Sequence, residues 1–430
     1  MAVRTRVGLC SIVGASFLVA ACSSSGHRTA VPATTTAPAT TAATGTAPAT
    51  VSASADAKAF YTLPNPLPPG PPGTIVRAEI VSGVPGVPDG ATVWRALYKS
   101  QTIYGDPIAV SGYFVVPPGS PPVGGWKILT WAHGTTGVTP SCFPSRFDLA
   151  GSKPYLLPDL ANVLGAQFLV AATDYEGLTG FEPYLLGASE GRGVLDAARA
   201  ARHLPGVPTS NTVAIYGHSQ GGHAALFAGE LAPSYAPDLQ VVAVAAAAPA
   251  TNLTTIIKIA PKTSSAGVLS FQLAAGWSWV QTYRDLPATD VFTPRAISAA
   301  PGLLAGGCID DTSRALNAQH LTGQDLFNAG LATNPVVVSH AEANDPGRVK
   351  TAVPMLVVQG TGDNTVPPAL TDSYVQTMAC PIGDTIHYEK FTGVTHSGIP
   401  RAAAATVLAF LEAPTAVSTC GQPGDSVTAP

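Results

Sequence analysis

The sequence predicts an α/β domain built on a mostly parallel sheet with helices on both faces, and three observations predict it. Short runs that are apolar throughout alternate with helical stretches, as expected of strands buried on both sides. One run, Val213-Ala214-Ile215-Tyr216, leads into Gly217-His218-Ser219-Gln220-Gly221 and then into a helical stretch starting at Ala224. Strand, G-x-S-x-G and helix in that order describe a nucleophile elbow. Finally, about a hundred residues separate the runs at 241–244 and 355–358, far more than one crossover needs. An insertion over roughly 251–350 is therefore expected.

The elements follow in chain order. Arg4 and Arg6 precede a mostly apolar stretch, 7–21, too short to span a bilayer, which reads as an export signal over 1–21. It ends Leu18-Val19-Ala20-Ala21-Cys22, small residues before a cysteine, as in a bacterial lipobox, so Cys22 is expected to become a lipidated N-terminus at a membrane surface. Residues 22–57 consist largely of Ser, Thr, Ala and Pro, cannot bury enough surface to order themselves, and read as a tether. The remainder, 58–430, is the expected catalytic domain. Strands are predicted at 75–81, 92–97 and 108–116, each bounded by Gly or Pro. The strand at 127–131 runs into His133-Gly134-Thr135-Thr136-Gly137, and the strand at 168–172 ends at Asp174-Tyr175-Glu176-Gly177. A helix over about 191–203 leads to the elbow strand. Later strands fall at 241–244, 355–358 and 386–391, with a helical piece at 268–284 inside the insertion.

Glycine supplies 43 of 430 residues, so a second G-x-S-x-G, Gly187-Ala188-Ser189-Glu190-Gly191, needs judging by context. It follows too short a strand and precedes a helix, so Ser189 reads as a helix N-cap and Ser219 as the nucleophile. A serine needs a base, itself oriented by a carboxylate, and at an elbow of this kind the chain order is Ser, Asp or Glu, His. The strand at 355–358 runs into Gln359-Gly360-Thr361-Gly362-Asp363, which places Asp363 as the acid. Only His387 and His396 lie beyond it. His387 falls inside a strand and reads as a surface position, whereas His396 sits in the loop Gly393-Val394-Thr395-His396-Ser397-Gly398 and is assigned as general base. Oxyanion donors are expected from the backbone N–H of Gln220 and from Gly134 or Thr135. His133 reads as a packing or anchoring residue and Asp174, which precedes Ser219, as a turn residue.

Composition narrows the alternatives. A net charge of −4 with 11% charged residues does not suggest nucleic-acid binding. Beyond Cys10 in the signal and Cys22, four cysteines remain, Cys142, Cys308, Cys380 and Cys420, which fit two disulfides in any of three connectivities. None has C-x-x-C spacing, and no metal site or cofactor is expected.

The motifs W-A-H-G-T-T-G at 131–137, D-Y-E-G at 174–177, G-H-S-Q-G-G at 217–222, G-T-G-D-N-T-V-P at 360–367 and G-V-T-H-S-G at 393–398 resemble the secretory lipase family of the α/β-hydrolase superfamily. The resemblance covers nearly all of 58–430. It implies an α/β-hydrolase fold with an inserted helical cap, acyl-ester lipid substrates such as acylglycerols, no cofactor, and disulfides Cys142–Cys308 and Cys380–Cys420. Residues and resemblance together give an exported, lipid-anchored serine ester hydrolase, with acyl transfer, peptide cleavage or a non-catalytic surface lipoprotein as the other readings. The apolar residues Ile256, Ile257, Leu269, Phe271, Leu273, Trp277 and Trp279 are read as either an acyl pocket or plain core.

Overall fold

Eleven strands form one sheet among the described residues: β1 (Thr50–Ser52), β2 (Ile75–Ser82), β3 (Thr92–Gln101), β4 (Pro107–Val116), β5 (Trp126–Ala132), β6 (Phe168–Thr173), β7 (Thr209–His218), β8 (Gln240–Ala247), β9 (Met355–Gly360), β10 (Ile386–Phe391) and β11 (Val427–Ala429). The computed structural model describes residues 49–53, 57–147, 155–420 and 427–429, all within one unit, Pro48–Pro430. The predicted signal at 1–21, Cys22 and most of the predicted tether lie outside the described residues.

The strand order is β1-β2-β3-β4-β6-β5-β7-β8-β9-β10-β11. The pairs β2–β3, β3–β4 and β4–β6 are antiparallel and all other neighbours are parallel. Every residue of β6 and β9 is buried, which explains why those runs carry no polar alternation. β5 and β7 lie side by side, yet the chain leaves β5 toward β6 and β7 toward β8. Open α/β sheets place their sites at the carboxyl ends of strands around such a reversal.

Helices cover both faces. On one, α2 (Gly187–Ala201) and α3 (Gln220–Tyr235) bury Val194, Leu195, Ala224 and Leu226 against the sheet. On the other, α1 (Leu160–Gly165) and α9 (Ala404–Glu412) pack Leu160, Leu164, Val407 and Phe410 against Leu129, Val170 and Leu356. Two glycines let α2 approach α3. A Cβ on Gly187 would lie 2.3 Å from the Phe227 ring, and one on Gly191 would lie 3.1 Å from the Ala228 nitrogen.

Between β8 and β9 come α4 (Leu253–Ile259), α5 (Ala266–Thr282), α6 (Pro294–Ala305), α7 (Ile309–Ala318) and α8 (Pro335–Ala343), with their own apolar core of Leu269, Leu273, Leu304, Leu316, Phe327 and Val337. Local chemistry starts two of them. Thr293 and Asn334 accept hydrogen bonds from Ala296 N–H and Val336 N–H, and proline follows each cap, where the missing N–H costs nothing.

Two expectations need correcting. Residues 50–52, read as tether, form β1 beside β2, with Thr50 opposite Ile80 and Val51 turned toward the core; an alternating T-V-S triplet is enough for an edge strand. Ser189 is not an N-cap. α2 starts two residues before it, after Leu186, and the Ser189 hydroxyl donates to Glu176 Oε2 at 2.6 Å. The glycines permit the earlier start because their missing side chains are what the α2–α3 contact requires.

Candidate active site

Ser219 follows β7 directly with φ 58° and ψ −118°, a left-handed turn that a non-glycine residue adopts only under constraint. The constraint is visible on both sides. A Cβ on Gly217 would fall 1.8 Å from the Gly221 carbonyl oxygen, and one on Gly221 would fall 1.8 Å from the Ala132 carbonyl oxygen. Only glycine at both positions lets β7 turn into α3 against the end of β5. The Ser219 N–H donates to the Ala247 carbonyl at 2.9 Å, and the Ala250 N–H donates to the Ser219 carbonyl at 3.2 Å, so β8 braces the turn.

His396 reaches Ser219 from the loop after β10. Its Nε2 lies 2.8 Å from Ser219 Oγ and its Nδ1 lies 2.7 Å from Asp363 Oδ2. The structure thus brings together three predicted residues drawn from the ends of β7, β9 and β10. Asp363 is almost fully buried. Burial works to raise its pKa, but the hydrogen bond and charge of His396, with the backbone N–H groups of Val366 and Thr365, outweigh it and hold the carboxyl below its ordinary value. Gln359 donates to Asp363 Oδ2 at 3.0 Å and is itself held by the Thr371 hydroxyl at 2.7 Å. The Asp363 and His396 loops are tied together: Gly362 N–H donates to the Val394 carbonyl at 2.9 Å, and Gly393 N–H to Thr361 Oγ1 at 2.7 Å.

His218 joins the turn at Ser219 to the loop that carries His396. Its Nε2–H donates to the His396 carbonyl at 2.9 Å, and burial, followed by the His396 charge, pushes its pKa down to about 3. It is therefore a neutral strut, fixing the loop from the backbone side while leaving the His396 ring free to face Ser219 and Asp363.

Gln220 is the first residue of α3, where a backbone N–H has no intrahelical partner. Opposite it lies the loop after β5. His133 is buried, donates from Nδ1 to the Gly134 carbonyl at 2.7 Å, and has its own carbonyl bonded by the Tyr175 hydroxyl at 2.8 Å. Burial pushes its pKa down to about 4. It anchors the loop. A Cβ on Gly134 would lie 2.9 Å from Tyr155 Oη and 3.1 Å from His218 Nδ1. Thr135 Oγ1 lies 2.8 Å from the Tyr184 hydroxyl. The Cys142–Cys308 disulfide and the Ile309 N–H bond to the Thr136 carbonyl, 2.9 Å, fasten this loop to α7. The second disulfide is Cys380–Cys420, so of three connectivities the fold takes the one the resemblance implies.

One network has no signature in the sequence. The Gln220 side chain donates to Glu182 and, at 3.0 Å, to Glu190 Oε1, while His223 Nδ1 lies 2.7 Å from Glu190 Oε2 and His223 Nε2 bonds the Asn344 carbonyl at 2.8 Å. Burial and then the Glu190 charge drive the Glu182 pKa well up. For His223 burial works downward, but Glu190 wins and raises it. The network clamps the start of α3 from below, and its members are too far apart in sequence for any motif to reveal. Asp174, in turn, is buried and accepts from Ser111 Oγ at 2.5 Å and Ser145 N–H at 2.9 Å, a structural role. His387 is half-buried in β10 beside Glu389. No cluster of His, Cys, Asp or Glu among the described residues is arranged to hold a metal ion, and no helix among them is long and apolar enough to cross a membrane.

The family model described as secretory lipase matches residues 157–418. Lipase A of Moesziomyces aphidis is 28% identical over 193 residues, covering 43% of this chain and 40% of that protein. A probable inactive lipase of Mycobacterium tuberculosis is 28% identical over 218 residues, 47% of this chain and 48% of the relative. Those two matches span less than half of each relative; lipase A of Arthroderma benhamiae, at 24% identity, matches over 81% of this chain and 76% of its own. Among solved structures, Candida antarctica lipase A in its closed state superposes with TM-score 0.70 at 20% identity, over 86% of this chain and 88% of that one. The rice cell wall degrading esterase LipA of Xanthomonas oryzae gives 0.64 at 21%, over 80% and 97%. The sheet order and these likenesses establish an α/β-hydrolase fold.

Proposed function

The chain belongs to the secretory lipase family, and from that premise we propose that it is an exported serine carboxylic-ester hydrolase acting on fatty-acyl esters, acylglycerols among them. The observation that carries this reading is the hydrogen-bonded line from Ser219 Oγ through the His396 ring to Asp363. In the proposed reaction Ser219 Oγ attacks the acyl carbonyl while His396 Nε2 takes its proton. Asp363 holds Nδ1 protonated and stabilises the imidazolium that forms. The oxyanion is held by the backbone N–H of Gln220 and by Gly134 or Thr135. His396 returns the proton to the leaving alcohol, and water, activated by the same ring, releases the acid.

The helices over 253–343 act in this reading as the cap, tied to the oxyanion loop by Cys142–Cys308. Cys22 would carry the lipid that holds the enzyme at the outer face of the membrane, with the tether as spacer. A fluorophosphonate probe tests the chemistry: the wild-type chain should be labelled at Ser219, and Ser219→Ala should escape labelling and lose about six orders of magnitude of turnover on a p-nitrophenyl ester. Equal turnover by wild type and variant would defeat the assignment, and absence of labelling in the wild type would favour a non-catalytic lipoprotein.

A further inference from the structure

A groove of about 660 Å³ opens at the carboxyl edge of the sheet, beside the turn at Ser219 and the loop that carries His396. Its walls come from the β2–β3 connection, from residues 155–161, and from the loop and short helix that follow His396. Trp131, near the end of β5, and His218, the last residue of β7, form its buried side. The His218 ring lies 4.8 Å from the His396 ring, and the lining runs on from there through Ser397 to Arg401. The His396 ring is partly exposed, and Ser397 and Arg401 are exposed. A group bound at His396 can therefore extend along the surface into the groove, with no tunnel required.

Proton transfer decides which part of an ester lies there. His396 Nε2 must return its proton to the leaving oxygen, so the alcohol part departs on the side of the His396 loop, while the carbonyl oxygen faces Gln220 and the loop after β5. Two ionised side chains line this alcohol side, and their surroundings differ. Asp159 Oδ1 already accepts from Asn162 Nδ2 at 2.8 Å, within its own turn. Arg401 has neither an ion pair nor a hydrogen bond among the described residues, and the Ser397 hydroxyl is likewise without a partner among them. An exposed arginine by itself is only a solvated charge. Set in a groove where the leaving group must pass, with a second free donor beside it, it presents a planar fork that matches a carboxylate bidentately. One cation with Asp159 in the same lining balances a single negative charge and not the nearly double charge of a phosphate monoester.

We propose that Arg401 makes this groove a subsite for a carboxylate on the alcohol part of the ester, so that the enzyme prefers acyl esters of hydroxy acids over esters of uncharged alcohols of the same shape. The inference rests on the ester-hydrolase reading, and one pair of substrates tests the two apart. The compounds p-carboxyphenyl butanoate and p-carbamoylphenyl butanoate differ in the charge of one planar group. Each kcat/KM is divided by the same ester's rate constant for hydroxide hydrolysis, which removes the difference in leaving-group strength. At low salt and neutral pH the wild type should favour the carboxylate ester about fivefold, the upper end of what an exposed ion pair supplies. That ratio should fall toward one at about 1 M salt, where screening is strong. Arg401→Gln should bring the ratio to about one even at low salt, and Arg401→Glu should push it below one; the exposed position keeps both variants folded. A wild-type ratio at or below one defeats the inference, while turnover of the uncharged ester leaves the hydrolase reading standing. A preference that survives either substitution, or that does not weaken with salt, overturns it equally. No turnover of either ester by the wild type sinks both.

Discussion

Gly221→Ala isolates what the elbow geometry does for catalysis. The added methyl would sit 1.8 Å from the Ala132 carbonyl oxygen and 2.7 Å from that of His133, where real Cβ atoms essentially never come closer than 3.0 Å. The end of β5 and the start of α3 must therefore separate by about 1.2 Å (3.0 − 1.8). Ala132 leads directly into His133-Gly134-Thr135, so the displacement moves one proposed oxyanion donor away from Ser219 while Gln220 stays with the nucleophile. A misplacement of about 1 Å costs roughly a hundredfold in rate, or about 2.7 kcal/mol of barrier. Overpacking should also lower stability by about 1–3 kcal/mol, a shift of a few degrees in melting temperature. Steady-state kinetics on a short p-nitrophenyl ester, run well below the melting temperature of the variant, should show the loss in kcat with KM nearly unchanged. Gly165→Ala is the control, because its methyl meets nothing within 4 Å. A Gly221→Ala variant with kcat within about threefold of wild type would refute the argument that the glycine sets the distance between the proposed nucleophile, Ser219, and the loop after β5.

Two further outcomes are expected. Asp363→Asn should cut kcat about ten-thousandfold, because Thr365 and Val366 N–H groups hold the amide oxygen on their side and turn its NH2 toward His396 Nδ1, favouring the wrong tautomer; a loss of less than about tenfold would show that Asp363 does not orient the ring. Glu230, on α3, accepts from the Gly347 N–H, and burial, opposed by that bond and helped by the Asp384 charge, raises its pKa from 4.5 to about 7. The native state then binds the extra proton, so the stability Glu230 supplies is full below its unfolded pKa and lost as pH rises through the folded one. Between about pH 5 and about pH 8 the wild type should lose roughly 2.5 kcal/mol relative to Glu230→Gln, read from urea unfolding at each pH; parallel pH profiles for the two proteins would refute it.

Much of the site was legible because its rules are local. G-x-S-x-G after an apolar run is a steric statement about neighbouring residues, and Gly217 and Gly221 meet it through contacts within a few residues of Ser219 and with the adjacent strand. Chain order and places after strands single out Asp363 and His396, since a parallel sheet brings successive strand ends to one rim. His218 lies inside the motif, yet nothing in the motif marks it, because its role depends on the His396 carbonyl, 178 residues further along the chain. Ser189 differs from the expected N-cap for a related reason: what fixes it is the packing of α2 on α3, and the sequence around it looks like an ordinary helix start.

The amino-acid sequence by itself determined the class of fold, the order of nine of the eleven strands, and the three side chains able to meet at the sheet's carboxyl edge, since periodicity and glycine placement act between near neighbours. The tertiary structure alone decided how Glu182, Glu190, Gln220 and His223 share one buried network and how Gln359 braces Asp363. Those arrangements depend on residues brought together by long-range packing, where burial strips water from polar groups and leaves each one dependent on whatever partner the fold supplies.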